Sequence, residues 1–291
     1  MTINTNTNLN KAPDRAPRRR IGLGHALPPI AKVGLGIVIF WIIVAILAPW
    51  IAPYDPNVNH IESMANPAPS WAFPLGLDNQ GRDILSRIVF GARTVLIVAP
   101  IAVAAATLLG AILGLTAGYY RGWVDTIVSR TCDIALSLPT IILYFVLLSA
   151  LGASAFNIVL VIAITKAPMI ARIVRGLTLE LMSRDYIAAA KMRGESAVFI
   201  MFQELLPNMR GPLIVEMCLR LGYTIIAIGM LGFLGLGLPP PTPDWGGMIR
   251  ENYNFISFWP HMSLFPGLAI SSLVVGLSLI AVGLRAGVSR G

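Results

Sequence analysis

Six long apolar runs, separated by polar and proline-rich stretches, set the frame of this 291-residue chain. They cover approximately residues 33–51, 94–118, 134–151, 156–174, 212–234 and 264–284. Each approaches the roughly 20 apolar residues that a bilayer-spanning helix needs. Backbone groups in hydrocarbon must bond within their own segment, so the runs predict helices rather than strands. The first run follows a polar, basic stretch, which is also the layout of a signal peptide. It is long enough to span, however, and five more runs follow, so a retained first helix is expected. The pattern predicts an all-α membrane protein with six transmembrane helices over residues 33–285. Residues 1–32 are expected to be a disordered basic tail, because they cannot bury a core. Residues 286–291 are expected to form a short second tail.

Composition supports this frame. Only 12% of residues are charged, against roughly 25% in a typical soluble chain, and the mean hydropathy is +0.73. The formal net charge is +8. The cations gather at the ends of the apolar runs, which suits an anionic membrane leaflet. No basic groove interleaved with aromatics is visible, so no nucleic-acid partner is expected. With the N-terminus inside, Lys11, Arg15, Arg18, Arg19, Arg20, Lys32, Arg121, Arg130, Arg172, Arg175, Arg184, Lys191, Arg193, Arg210, Arg285 and Arg290 fall on the cytoplasmic side. Only Arg82, Arg87, Arg93 and Arg250 fall outside. The asymmetry predicts cytoplasmic N- and C-termini. Trp50 and Trp259 then lie at outer span ends and Trp123 near an inner one, as an aromatic belt requires. The two cysteines, Cys132 and Cys218, have no metal or redox spacing, and a disulfide between them is not expected. His25, His60 and His261 stand far apart, with no metal-ligand pattern.

Lys166 and Arg220 lie inside apolar runs. Lys166 suits either an intramembrane functional role or snorkelling to the interface. Arg220 is expected to snorkel or to pair with Glu216 one helical turn away. Two external segments are long. Residues 52–93 contain a polar, helix-like stretch, Gly81 to Arg87. There Arg82 and Asp83 form either a surface pair or an element of gating or receptor docking. Residues 235–263 carry Pro239, Pro240, Pro241 and Pro243 before Asp244 and Trp245. Four prolines in five positions forbid a regular helix, so a stiff extended external cap is expected, with Pro240, Asp244 and Trp245 available to a partner or solute.

The longest cytoplasmic segment, residues 175–211, contains Asp185-Tyr186-Ile187-Ala188-Ala189-Ala190-Lys191-Met192-Arg193-Gly194-Glu195-Ser196. Its alanines favour a helix, and Gly194 can take a positive φ that ends it sharply. Val198, Phe202 and Leu205 repeat at helical spacing and predict one apolar stripe. Pro207 is expected to close this second short helix, since the residue before proline avoids the α region. Two short helices joined at Gly194 would project as a handle, and a side chain at Gly194 is expected to clash or reopen the turn.

This stretch resembles the cytoplasmic EAA loop of binding-protein-dependent ABC importer permeases. That pattern runs Glu-Ala-Ala, three residues, Gly, nine residues, Ile, one residue, Leu-Pro. Ala188, Ala189 and Ala190 occupy its first places, Gly194 the glycine place, and Leu206 and Pro207 the last two. Ala188 replaces the leading glutamate and Glu204 the isoleucine. The segments Phe73 to Asp83, Gly91-Ala92-Arg93, Gly232 to Trp245-Gly246 and Leu264-Phe265-Pro266-Gly267 resemble the dipeptide, oligopeptide and nickel permeases, and the match extends over roughly 33–285. The length and motifs are similar to the C-type subunit.

The resemblance implies a type I ABC importer permease fold in the bacterial inner membrane. It implies a homologous B-type permease, two ATP-binding subunits and an extracytoplasmic solute-binding protein as partners, in addition to the lipid bilayer. Peptide import is expected, with nickel-chelate import as the alternative within the family. Ala188, Ala189, Ala190, Gly194, Glu195, Leu206 and Pro207 would form the ATPase-docking loop. The chain has no GxxxxGK[ST] phosphate loop, so it is expected to be a transport subunit without ATPase chemistry or a bound cofactor, with ATP and magnesium on the partner ATPases. An ion-coupled secondary transporter would instead place acidic or histidine relays and inverted repeats in the spans. The runs hold Glu216 but no relay. A membrane enzyme would need a nucleophile–base pair or a metal motif, and neither is present in the pattern.

Overall fold

The computed structural model describes residues 28–289, and side chains through residue 284. Residues 1–27 of the expected 1–32 tail therefore lie outside the described residues, and Pro29 to Lys32 open a helix rather than belong to a tail. Helix α1 runs Pro29–Ile46, and a single turn, α2, follows at Ala48–Ile51. Proline near each start fits positions whose N–H has no intrahelical partner. Residues 52–83 are irregular apart from a 3-10 turn at Ile61–Ser63.

Helix α3, Ile84–Tyr120, has 37 residues. At about 1.5 Å rise each it is about 55 Å long, well beyond the hydrocarbon thickness. It starts ahead of the expected Thr94 because capping, not hydropathy, fixes its origin. The Asp83 carboxylate accepts from Ser86 N–H at 2.8 Å and from Ser86 Oγ at 2.6 Å, a cap contributing about 1 kcal/mol. The helix-like stretch expected from Gly81 is thus a turn as far as its cap, and Gly81 has φ +78°.

The apolar run 134–151 does not form one straight helix. Its first residues end α4, Gly122–Ser137, and the remainder forms α5, Thr140–Leu151. The two helices are bent by 91°. Pro139 is the physical reason, because it pushes Leu138 out of the α region; Leu138 has ψ 137°. Helix α6 runs Ala155–Leu181, with Ser154 as its cap, and extends past the expected end at Val174. The loop that follows holds α7 at Asp185–Met192, α8 at Ala197–Phe199, a π turn at Ile200–Leu205 and α9 at Leu206–Asn208. Helices α10, Arg210–Phe233, α11, Trp245–Asn252, and α12, His261–Ser289, complete the chain. Helix α12 carries the chain into the expected second tail.

Five of these helices are long and apolar enough to cross a membrane, and the bent α4–α5 pair makes six if counted as one span. The main seam is α3 against α6, where small residues let the backbones approach. A Cβ at Gly114 would lie 2.5 Å from the Ala171 carbonyl, and one at Gly110 2.6 Å from Ile170 Cβ. Helix α1 packs on α12 in the same manner, Gly34 meeting Gly276. One apolar cluster joins α1, α3, α5, α6, α10, α11 and α12 around Trp41, Ile158, Trp245 and Leu273. A second joins the α3–α6 end to the loop through Leu115, Val174, Ile187, Ile200 and Leu205.

Candidate functional site

Three regions bear on function. In the first, the loop after α6, α7 ends in a Schellman arrangement. Gly194 N–H donates to Lys191 O at 3.0 Å and Glu195 N–H to Ala190 O at 3.2 Å, with Gly194 at φ +76°. This is the geometry that favours glycine at such a turn. A Cβ there would meet nothing within 4 Å. The expected clash is therefore absent within the chain, and only backbone strain remains. Ile187 and Ala190 are buried and anchor α7, whereas Ala188 and Gly194 are exposed. Ala189, Glu195 and Leu206 are half-buried, and Pro207 is exposed.

The expected stripe of Val198, Phe202 and Leu205 is misphased. Ile200, Met201 and Leu205 are buried, while Val198 is 61% and Phe202 42% exposed. The π turn shifts the phase: Leu206 N–H bonds back to Met201 O, so the 3.6-residue period does not apply. Pro207 does not close the helix either; it sits in the first turn of α9, where its missing donor costs no bond. Met192, Val198, Phe199 and Phe202 thus leave an apolar surface around Gly194. Glu204 lies 3.8 Å from Arg193; burial, and after it the Glu204 charge, pushes the Tyr186 phenol above its ordinary pKa.

At the opposite end, Arg82 and Asp83 do not pair with each other. Arg82 Nε is 2.7 Å from Asp78 Oδ2, and its guanidinium also bonds Glu251. Arg87 lies 3.6 Å from Asp78 and 3.5 Å from Glu251. Asn79 N–H donates to Asn252 Oδ1 at 2.9 Å. This buried network ties the approach to α3 onto α11. The expected extended cap is instead a turn around a cis Pro240–Pro241 bond, followed by α11. Asp244 caps α11, accepting from Gly246 and Gly247 N–H at 3.2 Å each. Trp245 is fully buried, donates Nε1–H to Ile88 O at 2.9 Å, and packs where Gly91 has no side chain. Burial pushes the Asp244 carboxyl up to about 6. Of the five residues expected to contact an external partner, only Pro240 is exposed; Arg82, Asp83, Asp244 and Trp245 are buried. The sequence singled out these residues but not their packing: Arg82 depends on Asp78 and Glu251, and Trp245 on Ile88 and Gly91.

Between these ends, α5, α6 and α10 line a cavity of about 620 Å³. Its wall includes Thr140, Tyr144, Lys166, Met169, Glu216, Arg220 and Tyr223. Arg220 pairs with Glu216 at 2.5 Å. Lys166 Nζ sits over the Tyr144 ring, 5.7 Å from its centroid, and has no carboxylate in salt-bridge reach among the described residues. A second cavity of about 480 Å³ shares Ile141, Ile226, Met230 and Leu234 with the first and continues toward Ile249 of α11. The two make one trough running from the charged cluster toward the α11 end. Sequence alone singled out Lys166 and Arg220. It missed Tyr144 and Tyr223, which only the α5–α10 juxtaposition brings together. Among the described residues no group of three or more His, Cys, Asp or Glu side chains is placed to hold a metal ion.

Comparison with known proteins places this geometry. Residues 106–291 match the family described as binding-protein-dependent transport system inner membrane component. Residues 29–69 match the N-terminal TM domain of oligopeptide transport permease C. The chain is 38% identical over 261 residues to the dipeptide transport system permease protein DppC of Haemophilus influenzae, covering 88% of each. It is 40% identical over 257 residues to DppC of Alkalihalophilus pseudofirmus, covering 88% of this chain and 84% of that one. It is 38% identical over 248 residues to the glutathione transport system permease protein GsiD of Pectobacterium atrosepticum, covering 85% and 82%.

Proposed function

Because the chain belongs to the family of binding-protein-dependent transport system inner membrane components, as a permease of the oligopeptide C type, we propose that it forms half of an importer pore for small peptides. It is the multi-pass inner-membrane permease subunit, not the ATPase. The observation that carries the proposal is the α5–α6–α10 trough. A groove with paired and unpaired charges, set inside membrane-spanning helices, is a solute path rather than a lipid face. A homologous permease closes the trough from the other side. The relatives' names, dipeptide and glutathione permease, support a short peptide or peptide-like cargo.

The loop around Gly194 is the handle for the ATPases. Its exposed apolar residues lie outside the spans, where such a patch calls for a protein partner. The second apolar cluster fastens it to the α3–α6 end, so displacement of the handle moves the spans as a rigid body. In this reading the loop and both termini are cytoplasmic and α11 is external, facing the solute receptor; the cation asymmetry supports it. ATP and magnesium bind the partner subunits, and this chain binds no cofactor of its own.

Reconstitution with the second permease, the two ATPases and the receptor tests the reading. ATP-dependent accumulation of a labelled dipeptide is expected, and this chain purified alone hydrolyses no ATP. Receptor- and ATP-independent uptake driven by an ion gradient would overturn it. Orientation is tested separately: a cysteine at Ser183 should resist an impermeant thiol reagent in intact cells, and one at Asn57 should react.

A further inference from the structure

We propose that Lys166 is a carboxylate-recognition residue within the trough, engaging an acidic group of the passing solute; this rests on the trough being the solute path. Lys166 stands near the middle of α6, about 16 Å along the helix from Ala155 at about 1.5 Å per residue. That depth leaves a four-carbon side chain far from either interface. An ammonium there is costly unless a counter-charge, aromatic face or water meets it. The Tyr144 ring supplies one face, and the cavity supplies the rest of its surroundings.

The other charges facing the cavity do not neutralise Lys166. Arg220 on α10 is balanced by Glu216 through bonds of 2.5 and 2.6 Å, and the cavity-lining residues of α5, Thr140, Ile141 and Tyr144, carry no charge. The trough wall therefore holds one net positive charge, on a side chain whose three donors are free to rotate. A carboxylate meets that geometry as a point charge. Amide and hydroxyl groups of a solute gain less, because a hydrogen bond to a charged group is the stronger kind. The mouth toward α11 is lined by Ile226, Gly229, Met230 and Phe233, whose side chains offer no charge or hydrogen bond to a carboxylate. Selection for an acid consequently falls at Lys166.

The test uses the full reconstituted assembly with its receptor. Four probes form two pairs, each differing by one carboxylate: Ala-Glu with Ala-Gln, and Ala-Ala with its C-terminal amide. Each is supplied at a concentration giving equal receptor occupancy. The wild type is expected to import the acid of at least one pair about tenfold faster, the ratio for one charge-assisted contact. Lys166→Gln should erase that preference by slowing the acid of the responding pair to the rate of its amide, with co-purification of the partners unchanged, and Lys166→Arg should retain it. The responding pair identifies the side-chain or terminal carboxylate. A preference that is absent in the wild type or persists in Lys166→Gln overturns the proposal. So does Lys166→Gln slowing all four probes equally or releasing the second permease, which would assign Lys166 to a carboxylate of that partner. Failure of the wild type to import any probe rejects the path itself.

Discussion

The two sides of α6 meet different surroundings. Toward α3, Ala167, Ile170, Ala171, Val174 and Thr178 lie against Gly110, Gly114 and Gly118, with no room for another methyl group. On the other side Lys166, Met169 and Ile173 face the open trough. One helix thus belongs to a close-packed pair on one side and lines an open trough on the other. Close packing without side-chain freedom makes α3 and α6 one rigid body. The open side leaves α5 and α10 able to change distance from it. A transporter needs both properties, because a gate can move only against something that does not.

The largest effect should come from filling the closed side. Gly114→Leu drives four added carbons into the Ala171 carbonyl and Val174, which exceeds the about 1–3 kcal/mol typical of milder overpacking. Loss of folded protein from detergent extracts is expected, whereas Met169→Ala, on the open side, should leave the melting temperature unchanged. Comparable melting temperatures for the two variants would erase the contrast. Next comes the buried charge network that fixes α11 over the trough. Asp78→Asn leaves Arg82 and Arg87 sharing Glu251 alone, so the cost stays below the about 3–5 kcal/mol of a buried pair that loses its whole counter-charge. A melt should show it, and an effect below the range of exposed pairs would mean that the network is hydrated.

A smaller structural effect, with a large functional one, is expected at Gly194. Gly194→Asp forces a side chain into a positive φ, at about 1–2 kcal/mol. The spans should insert normally while ATPase co-purification and uptake are lost. Ala188→Glu, on an exposed position that meets no partner within the chain, should keep both. The reverse result would remove the loop from the coupling path.

The smallest effect is a pH slope. Asp244 holds its proton up to about pH 6 in the fold, against about 3.9 in an unfolded chain. Between about pH 4 and 6 the folded state binds a proton that the unfolded state has released. Stability from this group therefore falls as pH rises through that window, by at most about 1.4 kcal/mol per unit. Asp244→Asn should flatten that part of the melting curve, and an unchanged slope would place the carboxyl in water.

The sequence made the spans legible where apolar runs are long and uninterrupted, as in α1 and α12. It misplaced the start of α3 because Asp83 and Ser86, both polar, fix that end through a cap. It missed the break at Leu138–Pro139 because the run stays apolar across the bend. The turn after α7 was readable through the alanines and Gly194, yet the buried stripe beyond it was misphased by a π turn that no 3.6-residue pattern contains. Arg82, Asp83, Asp244 and Trp245 stood out as residues, but the burial of Arg82 depends on Glu251 and that of Trp245 on Ile88 and Gly91, partners that only folding brings near. The path itself depends on three helices separated in sequence, and of its chemistry only Lys166 and the Glu216–Arg220 pair were visible beforehand.

The central claim is that the α5–α6–α10 trough carries solute. Single cysteines at Met169 and Tyr223, in a chain with Cys132→Ser and Cys218→Ser, test it most directly within the assembled transporter. Both should react with a small hydrophilic thiol reagent, and saturating dipeptide with its receptor and ATP should change their rates. A cysteine at Leu108, on an exposed apolar position of α3, should stay unreactive throughout. Unreactive trough positions, or rates that match Leu108 and ignore the dipeptide, would contradict the account.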